Sequence, residues 1–318
     1  MASSRAIKNR IKSTKNIKQI TKAMEAVSAV KMRKSVSFAL KGRPFALYAL
    51  STLKKLVGSA GDEIKAKSPL FQTRSVKSGL VVVIASDKGL AGSFNSNVLK
   101  TSLSFINKSD FKVDVVAIGK KSKDFFDRNG IEVVKVYEGA GDYVDFRDVK
   151  PISEYITSLF SLPTKNTSKD EKVKVYDQVD IFYTNFVSAL KQEVVHRPLL
   201  PLSIETLSHV VHNIVPETGK YSDIKNEVSA STKEYLFEPT PETVVNDLAP
   251  SLVDIQIYHS LLEANASEHA ARMVAMKNAS ENAKEVIGSL TISYNKARQA
   301  QITKELIEIV SGNEALAV

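Results

Sequence analysis

The sequence predicts an α/β protein: a long antiparallel coiled coil of N- and C-terminal helices with a Rossmann-like α/β domain inserted between them. Three features lead there. The first 57 residues are basic and hold one proline, Pro44; a heptad repeat runs through the last part of the chain; and strand-like and helix-like segments alternate between them.

The first element spans residues 1–57. Ile7, Ile11, Ile17, Ile20, Met24, Val27 and Val30 recur at helical spacings, which predicts one long helix, frayed or kinked near Gly42 and Pro44. At a rise of about 1.5 Å per residue, some 50 residues extend roughly 75 Å, so such a helix needs a partner along its length. Residues 1–57 carry fourteen Lys and Arg against one acid, Glu25, within a chain whose net charge is +9. This arm expects an acidic partner (nucleic acid, anionic lipid or an acidic protein surface) or is a solvated helix face. A basic, serine-containing start also has the composition of a transit peptide, but the helical pattern begins by Arg5 and outruns presequence length, so no targeting segment is expected here.

Residues 58–78 read as a linker and 79–202 as the globular α/β part. Strands are expected at Gly79–Ser86, Val113–Gly119, Ile131–Tyr137 and Val179–Phe186, with a further one at Glu193–Leu200. Helices are expected at Ser93–Asn107, Lys120–Asn129 and Val149–Phe160. This alternation gives a small, mostly parallel sheet covered on both faces. Residues 203–238 form a connection, of which 203–232 are polar and weakly patterned, as in an excursion loop.

The last element is residues 239–318. Alternate steps of four and three from Leu248 reach Ala297, and twelve of these fifteen positions are apolar, aromatic or Ala, a period of 3.5 that predicts a left-handed coiled coil. Pro239, Pro241 and Pro250 mark its start, and Gly312 stands where a C-terminal cap belongs.

Several function classes are excluded or left without support. Zero cysteines rule out disulfides, thiolate metal sites and thiol nucleophiles. No apolar run approaches membrane-spanning length. The turn Ser86-Asp87-Lys88-Gly89-Leu90-Ala91-Gly92-Ser93-Phe94-Asn95 lies between a strand and a helix, where phosphate binds well. It matches neither GxxxxGK[ST] nor GxGxxG, so a tight connecting turn is the simpler reading. His209 and His212 lack companion ligands, His259 and His269 fall on the heptad seam, and His196 has no visible carboxylate to orient it. No triad, acid/base pair, cofactor site or metal site is expected.

The strings Ile7–Lys34 (IKNRIKSTKNIKQITKAMEAVSAVKMRK), Ser86–Asn95 (SDKGLAGSFN) and Ser267–Leu316 (SEHAARMVAMKNASENAKEVIGSLTISYNKARQAQITKELIEIVSGNEAL) resemble the gamma subunit of F-type rotary ATP synthases. The matches come in the right order and at the right spacing. Near the C-terminus Ile302, Thr303, Glu305, Glu308 and Gly312 fit the family pattern; Asn313 stands in place of Ala, and Ala91 stands where many relatives carry Cys. The cysteine-bearing regulatory insertion of chloroplast relatives is missing.

The resemblance implies a non-catalytic rotor shaft that couples ion flow through the membrane c-ring to conformational cycling of the catalytic beta subunits. It implies partners among the alpha, beta, epsilon and delta-type subunits and the c-ring, with no nucleotide substrate or cofactor of its own. It implies peripheral association with the cytoplasmic face of a bacterial inner membrane, or the matrix face of the mitochondrial inner membrane. By similarity Lys12, Lys15, Lys18, Lys22 and Met24 meet the acidic lever loops of beta, and Arg298, Gln299 and Thr303 form a polar latch to beta. A basic coiled-coil nucleic-acid-binding or scaffolding protein is the competing reading. Against it, the first aromatic of the basic helix is Phe38, so stacking side chains do not alternate with the basic ones.

Overall fold

The computed structural model describes residues 4–139, 144–161, 175–203, 238 and 240–316. The chain divides into two compact units. One combines the part up to Ala29 with the part from Arg272 onward, and the other spans Val30–Ala271. Two long helices contribute to both: α1, Ser4–Lys67, and α5, Pro241–Leu316.

The Val30–Ala271 unit is organised by a five-stranded sheet of β1 (Ser78–Ile84), β2 (Lys112–Ile118), β3 (Val133–Tyr137), β4 (Gln178–Phe186) and β5 (Gln192–Leu200). The order is β3-β2-β1-β4-β5, with β5 antiparallel to β4 and the other pairs parallel. β1 is central, and its β-branched run Val81–Ile84 is buried on both faces, as a covered parallel strand requires. Leu80, Val82 and Ile84 face a core shared with α4 (Phe146–Ser161), the short 3-10 turn Pro69–Phe71 and the first part of α5, Val245–Ala264. Val81, Val83 and Ala85 point the other way, to α2 (Phe94–Lys108) and α3 (Lys120–Arg128), where Val98, Leu99 and Phe126 meet them. α4 begins with reciprocal capping. The Asp145 amide donates to Asp148, while the Asp145 carboxylate accepts from the Arg147 amide, and the Arg147 guanidinium holds that carboxyl below its usual range.

The alternation of strands and helices follows the expectation element by element, with ends shifted by at most three residues. Three expectations need correction. α1 continues through Gly42 and Pro44 and ends at Lys67, so the first part of the expected 58–78 linker is helical. α5 starts at Pro241, runs through Pro250 without ending, and continues past Gly312, the expected cap, to Leu316. Between Leu252 and Ala270 almost every α5 residue is buried, because this stretch crosses the core of the unit and is covered all round; the 3.5 period marks a seam only beyond it. The expected excursion loop at 203–232 lies, from Ile204 onward, outside the described residues.

In the other unit the two chain ends pair. Ser4 Oγ donates to Gln301 Oε1 at 3.1 Å, which makes the helices antiparallel. On α5 the heptad positions Met273, Met276, Ser280, Ala283, Ile287, Leu290, Tyr294 and Ala297 are all buried or half-buried, as the period predicts. α1 answers with only part of its apolar pattern: Ile7, Ile11 and Met24 are half-buried. From Thr14 on, Thr21 and Ser28 are buried and Thr14, Lys18, Met24 and Glu25 half-buried, whereas Ile17, Ile20, Val27 and Val30 are 53–60% exposed. Small seam residues let the helices approach closely, and that leaves the branched ridge of α1 outside.

Candidate functional site

The C-terminal edge of the parallel strands is where an open α/β sheet binds ligands, so the Ser86–Asn95 turn was the natural place for chemistry. Its geometry is that of a closed structural knot. The Ser86 amide donates to Asn95 Oδ1 at 2.9 Å, and Asn95 Nδ2 donates back to Ser86 Oγ at 2.8 Å. Asp87 then spans three strands. Its Oδ1 accepts the Lys120 amide at the start of α3 at 2.9 Å, and its Oδ2 accepts the Gly139 amide beyond β3 at 3.0 Å. An amide at a helix N-terminus is the group that would receive a phosphate, and here the protein's own carboxylate takes it. Leu90, at φ 64°, and Gly92, at φ 57°, turn the chain tightly, leaving the Leu90 side chain exposed.

Asp87→Asn should leave one of those two amides without an acceptor and cost about 1 kcal/mol, since the clamp is partly solvated. The expected result is roughly fivefold faster hydrogen exchange at the Lys120 or Gly139 amide, with the β1 amides unchanged. Unchanged exchange at both would show that the clamp contributes nothing.

The described histidines give one correction. His196 does have a carboxylate: Asp180, reached across the β4–β5 ladder, with Nε2 2.8 Å from Oδ1. Gln178 Nε2 donates to the other Asp180 oxygen at 2.7 Å, and the His196 ring stacks on Phe182 at 4.5 Å between centroids. Asp180 is 1% exposed, and these two donors are what allow a carboxylate to be buried there. No spacing in the sequence announces this pair, because the antiparallel register of β5 creates it. His259 and His269 are buried within α5, while His209 and His212 lie outside the described residues. Among the described residues no group of three His, Asp or Glu side chains could hold a metal ion, and no helix is long and apolar enough to cross a membrane. The phenols of half-buried Tyr137 and buried Tyr183 are weakened as acids and stay protonated at neutral pH. Burial pushes Tyr137 up to about 12, and burial together with the Glu263 carboxylate pushes Tyr183 well above its ordinary value.

The remaining candidates lie on the paired chain ends. Lys12, Lys15 and Lys22 are exposed, Lys18 and Met24 are half-buried, and Lys22 also pairs with Glu25 at 2.9 Å along its own helix. Arg298, Gln299 and Thr303 are exposed, and the Thr303 hydroxyl donates to the Gln299 carbonyl at 3.0 Å, so it offers a partner only its acceptor side. The Ser4–Gln301 bond puts these three residues beside the first turns of α1, at a different level of the helix pair from Lys12–Met24. The two groups are therefore separate surfaces. Sequence reasoning passed over an apolar group beyond the seam: Ile302, Leu306, Ile307, Ile309 and Val310 are 46–68% exposed in the single chain. Their recurrence at steps of one to four was visible, but the 3.5 seam does not include them, so they attracted no role.

A protein-family model described as ATP synthase matches residues 3–316. The ATP synthase gamma chain of Heliobacterium modesticaldum is 39% identical over 316 residues, covering 99% of this chain and all of that one. The ATP synthase gamma chain of Roseiflexus sp. is 39% identical over 321 residues, covering 100% of this chain and 99% of the relative. Among solved structures, a chain in the central stalk and c-ring of the Tetrahymena thermophila mitochondrial ATP synthase aligns with a TM-score of 0.58 at 27% identity, over 82% of this chain and 99% of that one. A chain of the Euglena gracilis mitochondrial ATP synthase rotor shares the fold, with a TM-score of 0.63 at 18% identity over 94% of this chain and 98% of that one. The nucleic-acid or scaffolding reading finds no counterpart among these relatives. With its two ends paired, its ligand edge closed by Asp87 and its full length matched, the chain belongs to the ATP synthase gamma-chain family.

Proposed function

We infer that the chain acts as the rotating shaft of its ATP synthase and performs no chemistry itself. The observation that carries this reading is the pairing of two helix ends more than 240 residues apart in sequence, with branched apolar side chains left facing outward on both helices. A surface of that kind expects a protein sleeve. Alpha and beta subunits supply such a sleeve, with epsilon and delta-type subunits and the c-ring as further partners. The bacterial relatives favour peripheral association with the cytoplasmic face of a bacterial inner membrane. In this reading the paired ends, up to Ala29 and from Arg272, are the shaft and Val30–Ala271 is the globular part, in place of the expected division into 1–57, 79–202 and 239–318. The beta sites carry the catalysis, and the gamma chain contributes contacts: Lys12, Lys15, Lys18, Lys22 and Met24 toward the acidic levers, and Arg298, Gln299 and Thr303 as the latch.

The lysines give the test. Exposed ion pairs are individually weak, about 0–1 kcal/mol each, which suits a contact that must slide. Changing Lys12, Lys15, Lys18 and Lys22 together to Gln should leave the helix pair assembled, because Thr14, Thr21 and Ser28 keep the seam. In complexes co-expressed with alpha and beta, ATP-driven rotation should continue while proton pumping per ATP drops severalfold. A chain that co-purifies with no alpha or beta would overturn the shaft reading, and unchanged pumping would remove the lysines from it.

A further inference from the structure

We propose that the paired chain ends carry a built-in weak level, at residues 286–293 of α5 and 12–19 of α1, where the two helices open or over-twist before the rest of the pair. The α5 run Val286-Ile287-Gly288-Ser289-Leu290-Thr291-Ile292-Ser293 holds one glycine, four β-branched residues and two serines, with Leu290 its single strong helix former. Strong formers flank it on both sides, in Glu281–Glu285 and Lys296–Gln301. Gly288 has no packing reason to be glycine: a Cβ built there meets nothing within 4 Å. Three hydroxyls of the run bond back along the helix, Ser289 to the Val286 carbonyl at 3.0 Å, Thr291 to that of Ile287 at 2.7 Å and Ser293 to that of Ser289 at 3.0 Å. Such bonds compete with the backbone ladder and favour bending. Burial does not compensate, because Ile287 and Leu290 are only half-buried and the remaining six residues are exposed.

The opposing helix is weak at the same level. Counting inward at equal rise from the Ser4–Gln301 bond places residues 12–19 opposite 286–293, with Thr14 opposite Thr291 and Ile17 opposite Gly288, and Thr21 just beyond, opposite Lys284. Thr14 bonds back to the Arg10 carbonyl at 2.9 Å, and Thr21 to that of Ile17 at 3.0 Å. Their side chains thus serve their own helix and make no interhelical lock. Two helices weakened at one height give a place that yields under twist. That use rests on the shaft reading, whereas the weakness itself does not.

The test is amide hydrogen exchange on the full chain in its co-purified complex. In the wild type, amides of residues 287–295 should exchange at least tenfold faster than those of 273–283, where Met276, Ser280 and Ala283 are buried. Gly288→Ala should slow exchange across 287–295 roughly four- to fivefold and leave 273–283 unchanged. Wild-type exchange as slow as that of 273–283, or no slowing in the variant, would overturn the proposal. Should Gly288→Ala fail to assemble, Ser289→Ala with Thr291→Ala, both exposed, should slow exchange by roughly fivefold, and no slowing there overturns it equally. In single-molecule rotation, the angular spread of the stalled rotor should narrow in either variant. A chain that does not rotate at all would count against the shaft reading and leave the exchange result standing.

Discussion

Gly119→Ala should cost on the order of 3–5 kcal/mol and drive the α/β core toward unfolding. Gly119 lies at φ +89°, in the region that side chains rarely adopt, and a Cβ there would run into the Ala85 carbonyl oxygen. The backbone cannot easily give way. The Gly119 amide donates to the Tyr137 carbonyl at 2.8 Å, Ala85 N–H donates to the Ile118 carbonyl at 2.9 Å and Lys121 N–H to that of Ser86 at 3.0 Å. Three strand ends are tied at this one glycine. Gly130→Ala is the matched control: it also has a positive φ, 68°, but its Cβ would meet nothing, so only the strain of about 1 kcal/mol applies. Limited proteolysis of the co-expressed complex measures both. Cleavage within Ser78–Leu200 should accelerate sharply for Gly119→Ala and slightly for Gly130→Ala, and wild-type resistance of the first variant would refute the argument.

The latch substitutions should have the largest effect on turnover. A charge-assisted bond that is dry in the complex contributes roughly 1.5–3 kcal/mol, so its loss slows multisite hydrolysis by about ten- to a hundredfold. Arg298→Ala should lie at the upper end, since guanidinium can form two such bonds. Gln299→Ala should be intermediate. Thr303→Ala should be mildest, because its hydroxyl already donates to the Gln299 carbonyl and offers only an acceptor. Assembly should survive all three, since none lies on the buried seam that ends at Ala297. Steady-state hydrolysis and synthesis in reconstituted complexes with equal gamma content decide the matter. Wild-type rates for all three would remove the latch.

The sequence by itself determined the element order, the identity of the strands and the α5 seam, because each has a strong periodic signature. A run such as Val81–Ile84 has few alternatives to a buried strand, and a 3.5 repeat maintained from Met273 to Ala297 has few alternatives to a helix seam. That the Ser86–Asn95 turn matches no phosphate-binding glycine pattern was legible in the sequence, but how its polar groups are partnered was not. Only the fold brings Lys120 and Gly139 onto Asp87, residues 33 and 52 positions away. The Asp180–His196 pair was equally hidden, since one step of β5 register would have pointed the ring to the other face. For α1 the pattern misled. Ile7, Ile11 and Met24 turn inward, but Ile17, Ile20, Val27 and Val30, which also have the apolar spacing of a core face, are exposed while Thr21 and Ser28 are buried, because closely approaching helices admit small side chains better than branched ones. Periodicity tells which residues share a face of a helix. Which face turns inward is decided by the space that the partner helix leaves, and that exists only in the tertiary structure.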